Sequence, residues 1–193
     1  MKCNFKKGGW SMDGLVWAGS ARFPAMPDME QREDHIANVP TALSRDGYAY
    51  VSLVTKEKVR PGVKLSSHCA FDDLAAPLFV LPKELHEKDG NLFYSDYLEV
   101  VLWTNGINVL NLWADESGEV KIRNLLRLEM PVEKSVPHDL SVEIEKDRFN
   151  VTLDGKKVSL YCDEIYDSFH LGITGCEGPC RFYDMSIGPI EKE

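Results

Sequence analysis

The residues of this chain with the most chemistry in the least space lie in EVVLWTNGINVLNLW, Glu99 to Trp113, which joins a carboxylate to tryptophans and side-chain amides, with Tyr97 just upstream. Successive side chains of a strand point to opposite faces, so the turn between two strands decides which of these groups meet. A three-residue Thr104-Asn105-Gly106 loop sets Glu99 opposite Asn111, Tyr97 opposite Trp113 and Trp103 opposite Ile107. It leaves Leu98, Val100, Leu102, Leu110 and Leu112 for the core, broken only by Asn108 near the tip, whereas a two-residue Asn-Gly loop mixes polar and aliphatic groups on each face. Burial selects register because a one-residue slip turns every side chain over. Gly106 also falls where a type I turn followed by a left-handed residue needs it.

In that register the second face carries Tyr97, Glu99, Val101, Trp103, Val109, Asn111 and Trp113. Flat amphipathic rings beside a carboxylate and an amide suit a sugar, whose C–H faces stack on aromatics and whose hydroxyls bond to Glu and Asn. Tyr97, Trp103, Asn111 and Trp113 are therefore the candidate ligand-binding residues. The competing reading packs the tryptophans beneath a covering loop. Glu99 is the candidate catalytic acid or base, since a carboxyl group between aromatic rings is pushed toward neutral pKa, where proton transfer is useful. His68 is its candidate partner. In VKLSSHCAF, Leu65, Cys69 and Phe71 turn inward and Lys64, Ser66 and His68 outward, so His68 shares a cleft with Glu99 if their strands are neighbours. A histidine simply satisfied by its surroundings is the alternative. In YAYVSLV the same alternation puts Ala49, Val51 and Leu53 in the core and Tyr48, Tyr50 and Ser52 on the second face.

These groups must be positioned by strands. Short apolar or alternating runs (YAYVSLVT, APLFVL, YLEVVLW, INVLNLW, HDLSVEIE, RFNVTLDG, KKVSLY, FHLGITG, RFYDMSI) recur between turn signals. Val142 and Ile144 share one face of their run, as do Phe149, Val151 and Leu153, and Asp154-Gly155 marks a hairpin. Helical periodicity is confined to Met29–Val39 and Pro82–Lys88, each good for a turn or two. The expectation is one all-β sandwich domain over residues 1–193, with one or two short helical turns.

The 193 residues are enough for a substantial core, and the net charge of −9 with pI near 5.1 argues against nucleic acid or an anionic membrane as partner. The N-terminus lacks the apolar stretch of a signal peptide, which makes the cytoplasm the expected location. Five cysteines, an odd number, are expected as free thiols. CEGPC (Cys176 to Cys180) has the wrong spacing for a zinc knuckle, the scattered His35, His86, His138 and His170 make no HExxH pairing, and no acidic loop has calcium-ligand spacing. No metal or cofactor is expected.

HDLSVEIEKDRFNVTLDGKKVSLY followed by SFHLGITGCEGPCRFYDMSI resembles the closing strands of concanavalin A-like lectin/glucanase domains. The likeness lies in Val151, Leu153, Asp154-Gly155 and Lys156, then Leu171-Gly172-Ile173, Gly178 and Arg181-Phe182-Tyr183-Asp184. EVVLW with GINV is similar to mid-sheet hairpins of laminin-G-like and bacterial keto-disaccharide hydrolase domains. The resemblance covers the last half of the chain. It implies a jelly roll of two antiparallel sheets, with carbohydrate bound or processed on the concave sheet. The superfamily's glucanases carry carboxylates alternating along one strand, and here Glu99 has Tyr97 and Val101 where the others would stand. A second carboxylate would have to come from Asp72, Asp73, Asp96 or Glu177.

Three functions follow. The first is recognition of a carbohydrate or glycoside through the aromatic-polar concave face. The second is an intracellular glycoside hydrolase or lyase using Glu99 with His68 or another acid. The third is an assembly role in which that face meets another protein, including a second copy of the chain, as a homo-oligomer.

Overall fold

The computed structural model describes residues 1–23, 29–40 and 49–191, and among them it contains strands and turns but no helix. The described residues form two nine-stranded sheets that face each other. The first runs, edge to edge, through β15 (Lys156–Tyr161), β14 (Arg148–Leu153), β13 (His138–Ile144), β6 (Val63–Phe71), β17 (Cys180–Phe182), β4 (Ile36–Asn38) and β3 (Met29–Gln31). Beside β6 lies β18 (Asp184–Pro189), which also pairs with β1 (Lys2–Asn4). The second sheet runs through β12 (Val120–Glu129), β11 (Gly106–Ala114), β10 (Tyr97–Trp103), β7 (Ala75–Pro82), β16 (Gly172–Glu177), β5 (Ala49–Thr55), β2 (Leu15–Ser20), β9 (Asn91–Tyr94) and β8 (His86–Lys88). Among the described residues every strand pairing is antiparallel except β2 with β9.

Period-two alternation builds the core between the sheets. Leu65, Cys69, Phe71, Val142, Ile144, Phe149, Val151 and Leu153 enter it from the first sheet, and Val51, Leu53, Phe79, Leu81, Leu98, Val100, Leu102, Ile107, Val109 and Ile173 from the second. Asp154 and Gly155, both with positive φ (48° and 78°), form the tight turn their sequence announces. All five cysteines are free and buried. Trp10 and Trp17 pack against this core, and β1 and β2 complete the sheets.

The expected helical turns are corrected. Residues 29–39 contain the β3–β4 hairpin, with Glu30 opposite Ala37, and β4 pairs in turn with β17; residues 82–88 hold the end of β7 and all of β8. An available sheet edge outweighs weak helical periodicity over so few residues, because pairing satisfies backbone groups that an isolated turn leaves open.

A second hydrophobic cluster lies on the face of the second sheet turned away from the core. Tyr50, Val54, Leu78, Val80, Tyr94, Tyr97, Leu112 and Cys176 form it, and Leu85 and Leu92 pack on it. This sheet is therefore apolar on both faces, and only part of its outer face is covered.

Candidate functional site

The uncovered part of that outer face is a cleft of about 470 Å³, within the range of small-ligand sites. Glu99, Val101 and Trp103 of β10 reach it because they alternate with the core residues Leu98, Val100 and Leu102. From β11 come Asn108 and Leu110, from β16 Cys176 and Glu177, and from connecting segments Arg22, Asp73 and Lys134.

Local structure fixes these positions. Arg22 follows β2, its guanidinium lies 5.1 Å from the Phe23 ring centroid, and Phe23 stacks on Tyr50 at 5.0 Å. Glu177 has φ 65°, and a Cβ on Gly178 would lie 2.5 Å from the Asp73 carbonyl, so glycine lets the end of β16 close against residues 73–74. The Gly178 N–H donates to the Leu74 carbonyl at 2.7 Å. Buried Asn38 secures the same turn, donating to the Gly178 carbonyl at 2.8 Å and accepting from the Cys180 N–H at 2.6 Å.

Glu99 is 1 % exposed. The Tyr50 hydroxyl donates to Glu99 Oε2 at 3.0 Å, and Arg22 Nη1 stands 3.8 Å from Oε1, beyond hydrogen-bond reach. Burial raises the Glu99 carboxyl from 4.5 to about 7, against the lowering pull of Arg22 and the Tyr50 hydrogen bond, while the Glu177 charge raises it further. Among the described residues, three buried side-chain polar atoms lack a hydrogen-bond partner: Glu99 Oε1, Trp103 Nε1 and Asn108 Oδ1. All three belong to residues lining this cleft. Buried polar groups are normally satisfied, at a cost of about 1–3 kcal/mol when they are not, so three unpaired atoms on residues of one cleft single out that part of the sheet.

Glu99 and Trp103 thus come together as their strand pattern requires. Tyr97 lies on the same face but is wholly buried, edge-on to Tyr94 at 4.7 Å and hydrogen-bonded to Ser20 at 3.0 Å, so it is not presented to a ligand. Tyr50 and Ser52 also take this face, whereas Tyr48 lies outside the described residues. The hairpin register is corrected. Tyr97 pairs with Leu112, Glu99 with Leu110, Val101 with Asn108 and Trp103 with Gly106, which leaves a two-residue Thr104-Asn105 loop. Asn111 and Trp113 therefore fall on the opposite side of β11, where Asn111 donates to Glu164 and Trp113 is 37 % exposed. Backbone N–H groups of Met130 and Val132, in the segment that follows β12, donate to the loop carbonyls of Asn105 and Thr104 and anchor the loop from outside the hairpin.

His68 is also relocated. It projects from the outer face of the first sheet and contacts Asp139 at 2.8 Å, while Glu99 projects from the outer face of the second, with the core between them. Of the acids considered as a second carboxylate beside Glu99, Asp72 is bound by Arg181 and Ser135, and Asp96 accepts from the Ala114 N–H. Asp73 (paired with Lys134) and Glu177 line the cleft. The sequence reading missed Asn108 and Arg22. Asn108 was signalled as the one polar residue interrupting an otherwise aliphatic face, whereas nothing local signals Arg22.

No family model matches the chain, and no curated protein matches its sequence. Solved structures do match in fold. A carbohydrate-binding module from Bacillus subtilis aligns with TM-score 0.56 and 12 % identity over 85 % of this chain and 99 % of its own. The β-agarase A of Zobellia galactanivorans aligns with TM-score 0.65 and 9 % identity over 96 % and 88 %. The exoplasmic/lumenal domain of VIP36, in its Ca²⁺- and Man3GlcNAc-bound form, aligns with TM-score 0.62 and 12 % identity over 95 % and 86 %. Two sheets packed around a common core, shared with proteins so distant in sequence, show that this chain has a jelly-roll β-sandwich fold.

Proposed function

We propose that the chain recognises a carbohydrate or glycoside in the cleft formed by Glu99, Trp103 and Asn108. The observation that carries this reading is that Glu99 Oε1, Trp103 Nε1 and Asn108 Oδ1, the three buried polar atoms without partners among the described residues, all belong to residues lining this one cleft. They comprise a carboxyl oxygen, an N–H donor and an amide acceptor. A polyol answers such a set, because each hydroxyl both donates and accepts. Likeness of fold to a carbohydrate-binding module and to the oligoagarose- and Man3GlcNAc-bound proteins supports the same class.

Titration with agaro-oligosaccharides, manno-oligosaccharides and mucin O-glycans, followed by tryptophan fluorescence, tests the proposal. Saturable binding is expected to weaken about tenfold or more in Trp103→Phe and Asn108→Leu, each of which removes one hydrogen bond from a desolvated site. Trp113→Ala is expected to bind as the native protein does. Silence across the panel, or loss confined to Trp113→Ala, would remove the reading.

One further observation favours hydrolysis. Glu99, with its carboxyl near 7, shares the cleft with Glu177, and glycosidases use two carboxyl groups, one of them protonated. Reducing ends released from the same saccharides, and abolished in both Glu99→Gln and Glu177→Gln, would establish an enzyme. Binding without product would leave a recognition domain.

A further inference from the structure

The lining of the cleft divides into two kinds of surface. The unpartnered polar atoms belong to Glu99, Trp103 and Asn108. Beside them lie Leu74, Ala75, Ala76, Leu78, Val101 and Leu110, whose side chains offer no hydrogen bond. Strand register makes much of this apolar part continuous, since Val101 pairs with Leu78, and Ala76 with the buried Cys176. Trp103, the aromatic ring in the lining, has the Arg127 guanidinium over it, 5.8 Å from the centroid. A sugar ring lying on the aliphatic part would lose water from hydroxyls that find no partner there.

Leu74 is the residue of this surface that folding does not explain. It is 56 % exposed, and of the exposed large hydrophobic side chains among the described residues it is the one that lines the cleft. Its φ is +56°, a left-handed conformation unfavourable to an L-residue with a side chain. Asp89 and Asp154 share that region, but they precede Gly90 and Gly155 in two-residue hairpin loops, where aspartate is common. Ser135 and Glu177, also left-handed, gather with Leu74 at one end of the cleft. There the Gly178 N–H donates to the Leu74 carbonyl at 2.7 Å, and the Ser135 N–H to the Phe71 carbonyl at 2.8 Å. The Asp72 carboxylate joins these turns, accepting from Ser135 Oγ at 2.8 Å and from Arg181 at 2.6 Å. Backbone strain held in place by its surroundings gathers at ligand sites, and here it keeps an apolar side chain in the cleft wall with more than half its surface open.

We propose that the cleft takes a glycoside with an apolar aglycone, the sugar meeting Glu99, Trp103 and Asn108 and the aglycone lying against Leu74 and the aliphatic strand residues. The sugar's place rests on the carbohydrate reading above, whereas the apolar half stands on the lining itself. The volume of about 470 Å³ exceeds what one hexose ring fills, and a flat hydrocarbon occupies the remainder without leaving a polar group unmatched. Leu74 is then a specificity-determining residue, separating such glycosides from plain oligosaccharides.

Calorimetric titration with methyl and naphthyl glycosides of galactose, mannose and N-acetylgalactosamine, and with free naphthol, tests the proposal. A naphthyl glycoside that binds should do so at least about tenfold more tightly than its methyl counterpart, from the apolar area it buries. In Leu74→Asn that advantage should fall to about threefold or less, while methyl glycosides bind as they do to native protein. Asparagine tolerates the left-handed conformation, so the unfolding midpoint of this variant should match or exceed the native one. A midpoint lower by more than about 4 °C would mean that packing holds Leu74, and would overturn the proposal.

Equal affinity for methyl and naphthyl glycosides, or an advantage unchanged in Leu74→Asn, also overturns it and leaves the carbohydrate reading standing. Naphthol that binds native protein but not Leu74→Asn, with no glycoside binding better than naphthol, upholds the apolar half and removes the sugar. Silence from all of these probes removes both.

Discussion

Glu99 shows at the scale of one residue how burial becomes a property of the whole protein. Its carboxyl titrates near 7 when folded, against 4.5 without the protein around it. Between those values the folded state holds a proton that the unfolded chain has released, so stability falls as pH rises. The contribution is complete below about pH 4.5 and is lost as pH rises through 7, on the order of 3 kcal/mol at about 1.4 kcal/mol per unit. Urea unfolding from pH 4 to 8 should show this slope in the native protein and a flatter one in Glu99→Gln; equal slopes would mean another group is responsible. Strand alternation alone made Glu99 and Trp103 legible as residues of one face. Asn108 was legible only as an anomaly, a polar side chain on a face assigned to the core.

The element that decided the site is the β10–β11 hairpin. Its outer face buries Leu110, Leu112 and Tyr97 in a cluster of its own, so two registers offer comparable apolar burial and the pattern cannot separate them. The choice comes from outside the hairpin. β12 runs on past its strand and binds the loop carbonyls, and Gly106 meets it so closely that a Cβ would lie 1.9 Å from the Leu128 carbonyl oxygen. With φ at +135° as well, Gly106→Ala should cost about 3 kcal/mol or more and displace Asn108 from the cleft. Thermal unfolding with saccharide titration of the surviving fold would check both effects. A near-neutral substitution would mean that the close approach of β12 does not set the register. Residues 29–39 form strands rather than helix for a related reason, since the strand edge that β17 supplies to β4 lies far away in sequence.

At the scale of the molecule the sandwich is closed by its termini. β1 pairs with β18, and Phe5, just beyond β1, is completely buried against the common core, with Trp10 edge-on at 5.0 Å. Phe5→Ala should therefore cost about 3–5 kcal/mol, a full core deletion despite its place near the chain end. Chemical denaturation would measure it, and a cost below 1 kcal/mol would show that the N-terminal strand is not part of the cooperative unit. Most strand neighbours are distant in sequence, as in β7 with β16 and β6 with β18, so folding must close long loops before these contacts form, and rates of milliseconds to seconds are expected.

The all-β class, the core-facing residues of β5, β6, β10, β13 and β14, and the Asp154-Gly155 turn follow from the sequence alone, because period-two burial and turn chemistry are local and leave a local record. The cleft does not. Its walls come from the segment after β2, the β6–β7 turn, β10, β11, the end of β16 and the stretch before β13, which sheet order brings together. His68 and Glu99 show the limit most plainly. Each is correctly read as pointing away from the core, yet only the assignment of β6 and β10 to different sheets places them on opposite sides of the molecule. Alternation specifies which side of a strand a residue occupies, and only the long-range pairing of backbone groups specifies what it faces there.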